Sequence, residues 1–249
     1  MHHNMNFMII IALTLITIYI IFVFQNKQWP IYRTFFWCLG IILASSVIIF
    51  PIFHHQFDMH MYGHLILGMA APLLMALSKP ITLLLNSLNV HHARKVTKLL
   101  KSGYIKLITH PLSALILNTG GLWLLYRSSL FMMMHESLVV FYLVHFHVFA
   151  AGYLFTSVIL QNEPTAHPYT FKYRSIVMII SVALHQILSK SFYPYPPAGV
   201  EKVEAENGAI IMYYGGDVIE LIVIFLMCYQ WYYSTRPNKK IDMNVNQNY

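Results

Sequence analysis

Seven runs of apolar residues, each long enough to cross a lipid bilayer, constrain this chain more than any other feature of its sequence. A membrane-spanning helix needs about 20 predominantly apolar residues, and in lipid only helices and closed barrels satisfy every backbone polar group. The predicted spans are Phe7 to Phe24, Thr34 to Phe53, Met59 to Ser78, Ile108 to Tyr126, His135 to Leu160, Ile176 to Phe192 and Ala209 to Tyr233. The sequence therefore predicts an all-α fold, a polytopic membrane helix bundle with seven transmembrane helices.

The composition agrees with this prediction. Of 249 residues, 57% are apolar and only 10% are charged, which is too few charges for a soluble domain of this length. We expect one transmembrane domain over residues 1–235 and a short polar cytoplasmic tail over residues 236–249. The first run lacks a cationic stretch before it and a cleavage site after it, so we expect a retained span and not a signal peptide.

The basic residues of the connections predict the orientation of the chain. Cytoplasmic loops retain Lys and Arg far more strongly than they retain acids. Most of the basic residues, 13 of 16, fall on one side of the predicted bundle, and they are Lys27, Arg33, Lys79, Arg94, Lys95, Lys98, Lys101, Lys106, Lys172, Arg174, Arg236, Lys239 and Lys240. This distribution predicts an amino terminus outside the cell and a carboxyl terminus in the cytoplasm. It also accounts for the formal net charge of +7 without nucleic-acid binding.

The basic connection from Asn86 to Lys106 has a pattern of its own. Its apolar residues interleave with lysines at helical spacing, which is typical of an amphipathic helix lying on a lipid surface. We therefore expect this segment to contact anionic lipid.

Ionisable residues on four of the predicted spans fall at a similar depth. His60 and His64 are four residues apart, so they share one face of a helix. With a rise of about 1.5 Å per residue, His60 and His64 lie within about 10 Å of the outer end of their span, and the ionisable residues of the other three spans lie roughly 10–15 Å from theirs. The candidate site residues are His60, His64, His145, His185, Asp217 and Glu220. Such groups are costly in lipid and normally face the bundle interior, so the sequence predicts one shared polar site.

Local spacing refines this prediction. Tyr213, Asp217 and Glu220 fall on one stripe of the seventh span, and Gly215 and Gly216 would let another helix approach closely. His145 and His147 are two residues apart, so at most one of them can point at a given site.

The residue types favour a metal ion as the ligand of this site. The outer loop adds imidazole, carboxylate and thioether groups, from His54, His55, Asp58, Met59 and Met61. His with Met suits copper, especially Cu(I), while His with carboxylate also suits zinc, iron or manganese. A haem held by two histidines is a further alternative. Each histidine could instead make an ordinary interhelical hydrogen bond.

The two cysteines are not expected to take part in this site. Cys38 and Cys228 lie in apolar runs without a CxxC spacing, so we expect packed thiols.

Four segments resemble a known family. They are HMYGHLILGMAAPLLMALSKPITLLL from His60, THPLSALILNTGGLWLLY from Thr109, HESLVVFYLVHFHVFAAGYLF from His135 and ENGAIIMYYGGDVIEL from Glu206. Together they resemble the multi-span bacterial cytochrome c oxidase assembly factors of the CtaG type, over about residues 35–233. The Gly215 to Glu220 form resembles one branch of that family.

The resemblance implies a multi-pass protein of the bacterial plasma membrane that matures a haem-copper oxidase by helping to assemble its copper centre. The family's histidines then correspond to His60, His64, His145 and His185. The expected partners are a haem-copper oxidase subunit and the lipid bilayer; the sequence leaves the oligomeric state open.

Two other function classes stand beside this one. The intramembrane acids and histidines could move protons or a divalent cation, although the inner halves of the spans are almost uniformly apolar. An enzyme is not expected, because His135 and Glu136 are not followed by the second histidine of HExxH, and no nucleophile elbow is present.

Overall fold

The regular secondary structure of the protein consists of helices joined by short loops wherever the structure is described. The computed structural model describes residues 2–165 and 167–236, and every regular element in those ranges is a helix, which confirms the all-α prediction. The predicted polar tail lies, from residue 237 onward, outside the described residues. The α-helices are α1 His2–Gln25, α2 Ile31–Ile49, α3 Ile52–His55, α4 Phe57–Leu65, α5 Ala71–Leu77, α6 Pro80–Ser87, α7 Val90–Leu100, α8 Gly103–Ile108, α9 Pro111–Leu115, α10 Gly121–Arg127, α11 Leu130–Glu136, α12 Leu138–Leu160, α13 Phe171–Lys190 and α14 Lys202–Thr235.

Six helical segments of the described chain are long and apolar enough to cross a membrane, so this is a multi-pass membrane protein. They are Asn6–Gln25, Ile31–Ile49, Phe57–Ser87, Leu138–Leu160, Phe171–Lys190 and Lys202–Thr235. The fourth predicted span, Ile108 to Tyr126, corresponds to a helix that runs only from Pro111 to Arg127. Its length of about 25 Å is slightly below the hydrocarbon thickness of a typical bilayer.

A π-helical turn, Ile66–Ala70, interrupts the third span between α4 and α5. Pro72, the second residue after this turn, has no N–H group, so it cannot donate to the carbonyl of Gly68 as an ordinary helical residue would. Gly152 of α12 lies against that carbonyl so closely that a Cβ atom on Gly152 would overlap the oxygen. The irregular turn thus forms the notch into which α12 packs.

Polar contacts tie the helix ends together at one end of the bundle. The Glu163 carboxylate, in the loop after α12, accepts hydrogen bonds from the backbone N–H groups of Ile81 (2.9 Å) and Thr82 (2.8 Å) at the start of α6. Burial raises the pKa of this carboxyl, and these hydrogen bonds oppose that rise. Asn162 donates to the Ala76 carbonyl at 2.8 Å. The loop after α12 is therefore fixed onto the turn between α5 and α6.

An aromatic core closes the opposite end. The rings of Tyr126, Phe131 and Phe192 surround Phe57 with centroid distances of 5.6–6.2 Å. Arg127 donates to the Tyr195 carbonyl at 2.7 Å and anchors the loop after α13 above this core. A second apolar core, which includes Phe155, lies toward the other end. The candidate site residues lie between the two cores.

Two predicted boundaries are wrong. His135 does not begin the fifth span, because the helix breaks at Ser137, whose backbone is extended, and His135 belongs to the separate short helix α11. The seventh span does not begin at Ala209, because the segment from Lys202 to Gly208 already belongs to α14. The Lys, Glu and Ala residues of this segment are good helix formers and extend the seventh span beyond its apolar part.

The basic connection contains the predicted amphipathic helix. Its helix is α7, which Asn89 caps by accepting a hydrogen bond from the His92 backbone N–H at 3.0 Å. No residue of α7 is buried by the rest of the described chain, and Val90 and Leu99 are exposed. Its contact with anionic lipid stays a prediction.

Substitution of Gly152 by Ala tests the packing of α12 against the π-helical turn. We expect Gly152→Ala to destabilise the protein by about 1–3 kcal/mol, because the added methyl group would force α12 away from the Gly68 carbonyl. Thermal unfolding in detergent measures the change. Gly120→Ala is the matched control, since a Cβ atom there would meet only Ile116 at an ordinary 3.7 Å. Equal unfolding temperatures for the two variants would contradict this account.

Candidate intramembrane histidine site

The site is built around α4, which carries His60 and His64 on one face. Both side chains are buried. Helix α14 packs along α4, and the approach depends on glycines, since a Cβ atom on Gly208 would lie 2.5 Å from the Phe57 ring and one on Gly215 would overlap Leu65. The close approach predicted for Gly215 is thereby confirmed.

Three histidines form an outer cluster, which we define as His54, His60 and His145. They line one small cavity of about 20 Å³ together with His64, Tyr126 and Met134. The His54 and His145 ring centroids lie 5.2 Å apart. His54 comes from α3, His60 from α4 and His145 from α12, so three separate helices must pack correctly to form the cluster.

Hydrogen bonds orient each ring of the outer histidine cluster. His54 Nε2 lies 2.9 Å from the Val47 carbonyl, His145 Nδ1 lies 2.8 Å from the Phe141 carbonyl, and His60 Nε2 lies 3.2 Å from the Tyr126 hydroxyl. A carbonyl can only accept, so the bonded nitrogens of His54 and His145 carry the protons. In the neutral ring the other nitrogen then has a lone pair available for a ligand.

A second group, the inner histidine–carboxylate cluster, consists of His64, His185 and Glu220. The His64 and His185 ring centroids lie 6.2 Å apart, and His185 Nδ1 lies 3.5 Å from Glu220 Oε1. All three side chains are buried. They line a cavity of about 40 Å³ whose wall also includes Asn118 and Thr119.

The predicted single site thus consists of two neighbouring cavities, and His64 lies in the wall of both. The Tyr126 ring packs against both clusters, with its centroid 6.1 Å from that of His60 and 6.2 Å from that of His64. In the arrangement shown, no three His, Cys, Asp or Glu side chains of the described chain converge in metal-binding geometry. Metal binding thus stays a prediction for all six candidate residues.

Asp217 lines neither of the two cavities. Its Oδ1 accepts a hydrogen bond of 2.6 Å from the side-chain amide of Gln186 on α13. Of the predicted stripe on α14, only Glu220 faces the inner cavity, while Tyr213 lies under the Lys190 ammonium group at 4.7 Å. The three residues of the stripe thus have different partners on α13. Asp217 contacts Gln186, Tyr213 contacts Lys190, and Glu220 lies beside His185.

His147 takes a different role from His145, as their spacing requires. His147 Nε2 donates to the Leu117 carbonyl at 3.0 Å, inside a second π-helical turn, Ile116–Gly120. A Cβ atom on Gly121 would overlap the His147 ring, so this glycine makes room for the contact. His147 satisfies a backbone carbonyl of the fourth span and does not join either cluster.

Sequence reasoning missed three residues near the outer histidine cluster. The predicted spans place Tyr126 only at the end of the fourth span and His135 at the start of the fifth, and Met134 is not among the candidate site residues. The His135 ring centroid lies 6.4 Å from that of His60, and Met134 is almost fully buried. The antiparallel order of the spans could have placed Tyr126 at the depth of His60, but the break at Ser137 gave no signal in the sequence.

Comparisons with known proteins agree with the fold and the motifs. The model of the cytochrome c oxidase caa3 assembly factor family matches residues 17–234. An uncharacterized protein of Mycobacterium leprae (strain TN) is 24% identical over 234 residues, which cover 83% of this chain and 35% of that protein. Uncharacterized proteins of Mycobacterium bovis and Mycobacterium tuberculosis are each 28% identical over 154 residues, which cover 56% of this chain and 23% of theirs.

The chain thus spans between about a quarter and a third of the length of these relatives. No solved structure matches it. The family match covers all four motif segments and confirms the resemblance found in the sequence. This chain belongs to the cytochrome c oxidase caa3 assembly factor family.

Proposed function

We propose that this protein is a membrane assembly factor for a haem-copper cytochrome c oxidase and holds copper at the outer histidine cluster before an oxidase subunit receives it. The observation that carries the proposal is the set of three oriented imidazoles around one cavity that also contains a buried methionine. Family membership supports the oxidase as the partner. The protein acts by binding and handing over an ion, and not as an enzyme.

The donor set of the outer histidine cluster supports copper as the ion. Imidazole nitrogen with thioether sulfur suits Cu(I), and Met134 supplies the thioether. A histidine that donates its other N–H to a carbonyl is held in one orientation and is a more basic ligand, and His54 and His145 both make such a bond. A cavity of about 20 Å³ suits one small ion and leaves no space for a haem.

The surroundings of the cluster support exchange with the outer side. Cavities of about 320 and 290 Å³ flank His54, His55, His135 and Glu136 at the same end of the bundle. An ion can therefore approach the outer histidine cluster past further imidazole and carboxylate groups. A site of this kind exchanges its ion more readily than a closed four-ligand structural site.

Transport is the alternative function. The inner histidine–carboxylate cluster and the hydroxyl groups of Thr119 and Ser181, 3.3 Å apart, extend the polar region inward. Below them, however, Leu73, Phe155 and Ile159 belong to a buried apolar core. A path that ends at this core favours a holding site open to one side over a route across the membrane.

We further propose seven membrane crossings in the bacterial cell membrane, with the amino terminus outside and the carboxyl terminus in the cytoplasm. The helix from Pro111 to Arg127 then supplies the crossing that is shorter than the other six. The arrangement of loops supports this, because the connections that contain Lys79 and Glu163 meet at one end, while His54 and His135 meet at the other.

Thiol labelling in intact cells tests this topology. In a chain with Cys38→Ser and Cys228→Ser, we expect a membrane-impermeant maleimide to label Ser129→Cys but not Lys98→Cys, because the two positions flank the short fourth helix. Lys98→Cys should react only after the cells are permeabilised. Labelling of both variants in intact cells would rule out the fourth crossing, and the reverse pattern would invert the orientation.

Copper analysis of the purified protein tests the holding site. After loading with Cu(I) in detergent, we expect the His60→Ala, His145→Ala double variant to bind copper at least about tenfold more weakly, because two of three imidazole ligands are lost. The His91→Ala, His92→Ala variant is the matched control, since both residues are exposed on α7. Unchanged copper content in the first variant would show that the outer histidine cluster does not bind copper.

Complementation tests the role in oxidase assembly. In cells that lack this protein, the native chain should restore haem-copper oxidase activity, and the His60→Ala, His145→Ala variant should restore about tenfold less at equal protein level. Added copper should recover part of the loss, because free ions can then replace delivered ones. Full activity with the double variant would separate the assembly role from copper binding.

A further inference from the structure

We propose that the inner histidine–carboxylate cluster is a second metal site, separate from the outer histidine cluster, and that it binds a divalent ion of the Zn²⁺, Fe²⁺ or Mn²⁺ class. The two sites would share helix α4 and otherwise draw on different helices. His64, His185 and Glu220 come from α4, α13 and α14, respectively.

The first argument is that buried polar atoms of this cluster lack partners. Within the described residues, His64 Nε2, both ring nitrogens of His185, and Glu220 Oε2 are buried without a hydrogen bond. Each parent side chain is more than nine-tenths buried. Unpaired polar groups at this depth are costly, and three such groups around one cavity are explained most simply by a ligand that contacts all of them.

Charge balance is the second argument. The Glu220 carboxylate lies in the inner cavity, and no Lys or Arg of the described chain lines that cavity. Asp217, one turn earlier on α14, adds a second carboxylate nearby. A buried carboxylate without a cation is strongly unfavourable, whereas a divalent ion would compensate the charge.

The spacing of the ligand atoms is the third argument. Metal–nitrogen and metal–oxygen bonds of about 2.0–2.1 Å place two ligands of a tetrahedral ion roughly 3.4 Å apart. His185 Nδ1 and Glu220 Oε1 are 3.5 Å apart, which matches this edge. Rotation of the His64 ring, whose centroid lies 6.2 Å from that of His185, then completes a set of three ligands.

The donor types decide which ion fits. Two imidazoles and one carboxylate are the three-ligand set typical of divalent iron and related ions, and they leave positions open for water. The outer histidine cluster has no carboxylate and a thioether instead. The cavity of about 40 Å³, with the side chains of Asn118 and Thr119 in its wall, has space for an ion and one bound water molecule.

Two neighbouring residues, Gly216 and Gln186, position the ligand side chains but are not ligands themselves. A Cβ atom on Gly216 would overlap the His185 ring, so this glycine sets how close the ring lies to α14. Gln186, next to His185, donates to Asp217 and fixes the register of α13 against α14. Gly216→Ala should therefore displace His185 while every ligand residue is retained.

Titration of the detergent-purified full chain with Co²⁺ tests the second site, because tetrahedral or five-coordinate Co²⁺ has visible absorption bands. We expect the native chain to show these bands and Zn²⁺ to remove them. Glu220→Gln and Gly216→Ala should each weaken Co²⁺ binding by about tenfold or more. Glu206→Gln is the matched control from the same helix and should retain the bands, since this carboxylate faces Lys202 and does not line the inner cavity.

The His60→Ala, His145→Ala variant separates this inference from the copper proposal. If the two sites are distinct, this variant loses Cu(I) and keeps the Co²⁺ bands. Loss of the bands in this variant would overturn the inference in favour of one shared site. The absence of bands in the native chain, or an unchanged affinity in both Glu220→Gln and Gly216→Ala, would overturn it outright. The copper measurement would stand in either case.

Discussion

The packing of the third span between α12 and α14 is the interaction on which the rest of the structure depends. Pro72 prevents a regular helix at Gly68, the π-helical turn leaves a notch there, and Gly152 lets α12 fill it. On the other side, Gly208 and Gly215 bring α14 against α4. Small residues have this function in membranes because lipid provides no hydrophobic force between helices, so close van der Waals contact must hold them together.

This close packing also sets the polar chemistry of the interior. The histidines of α4 can lie close to His145 on α12 and His185 on α13 only because glycine residues at the contacts let these helices pack closely together. Tyr126 of the fourth span packs against both His60 and His64, where an imidazole–thioether environment adjoins an imidazole–carboxylate environment. Two environments of different donor type within one bundle are what a protein needs if it is to bind a soft and a harder cation separately.

Family membership indicates the cellular process, which is the assembly of a cytochrome c oxidase. The structure adds where in the molecule the candidate site lies. The chain matches the family model over most of its length but spans only part of its curated relatives. The activity of those longer proteins therefore does not transfer to it. The outer histidine cluster, the flanking cavities and the apolar core beneath them describe a chamber that opens to one face, which is consistent with receiving and returning an ion on the same side.

The sequence by itself determined the helical membrane fold, the family and six candidate residues, because span length, loop charge and histidine spacing act locally along the chain. Only the tertiary structure decided which side chains meet. It placed His64 in the wall of both cavities, paired His185 with Glu220, left Asp217 with Gln186, and brought His54, Tyr126 and Met134 to the cavity of the outer histidine cluster. Depth along a helix follows from residue number, but the direction in which a side chain faces depends on π-helical turns, glycine contacts and the break at Ser137. These features arise from packing between helices, and no single span encodes them.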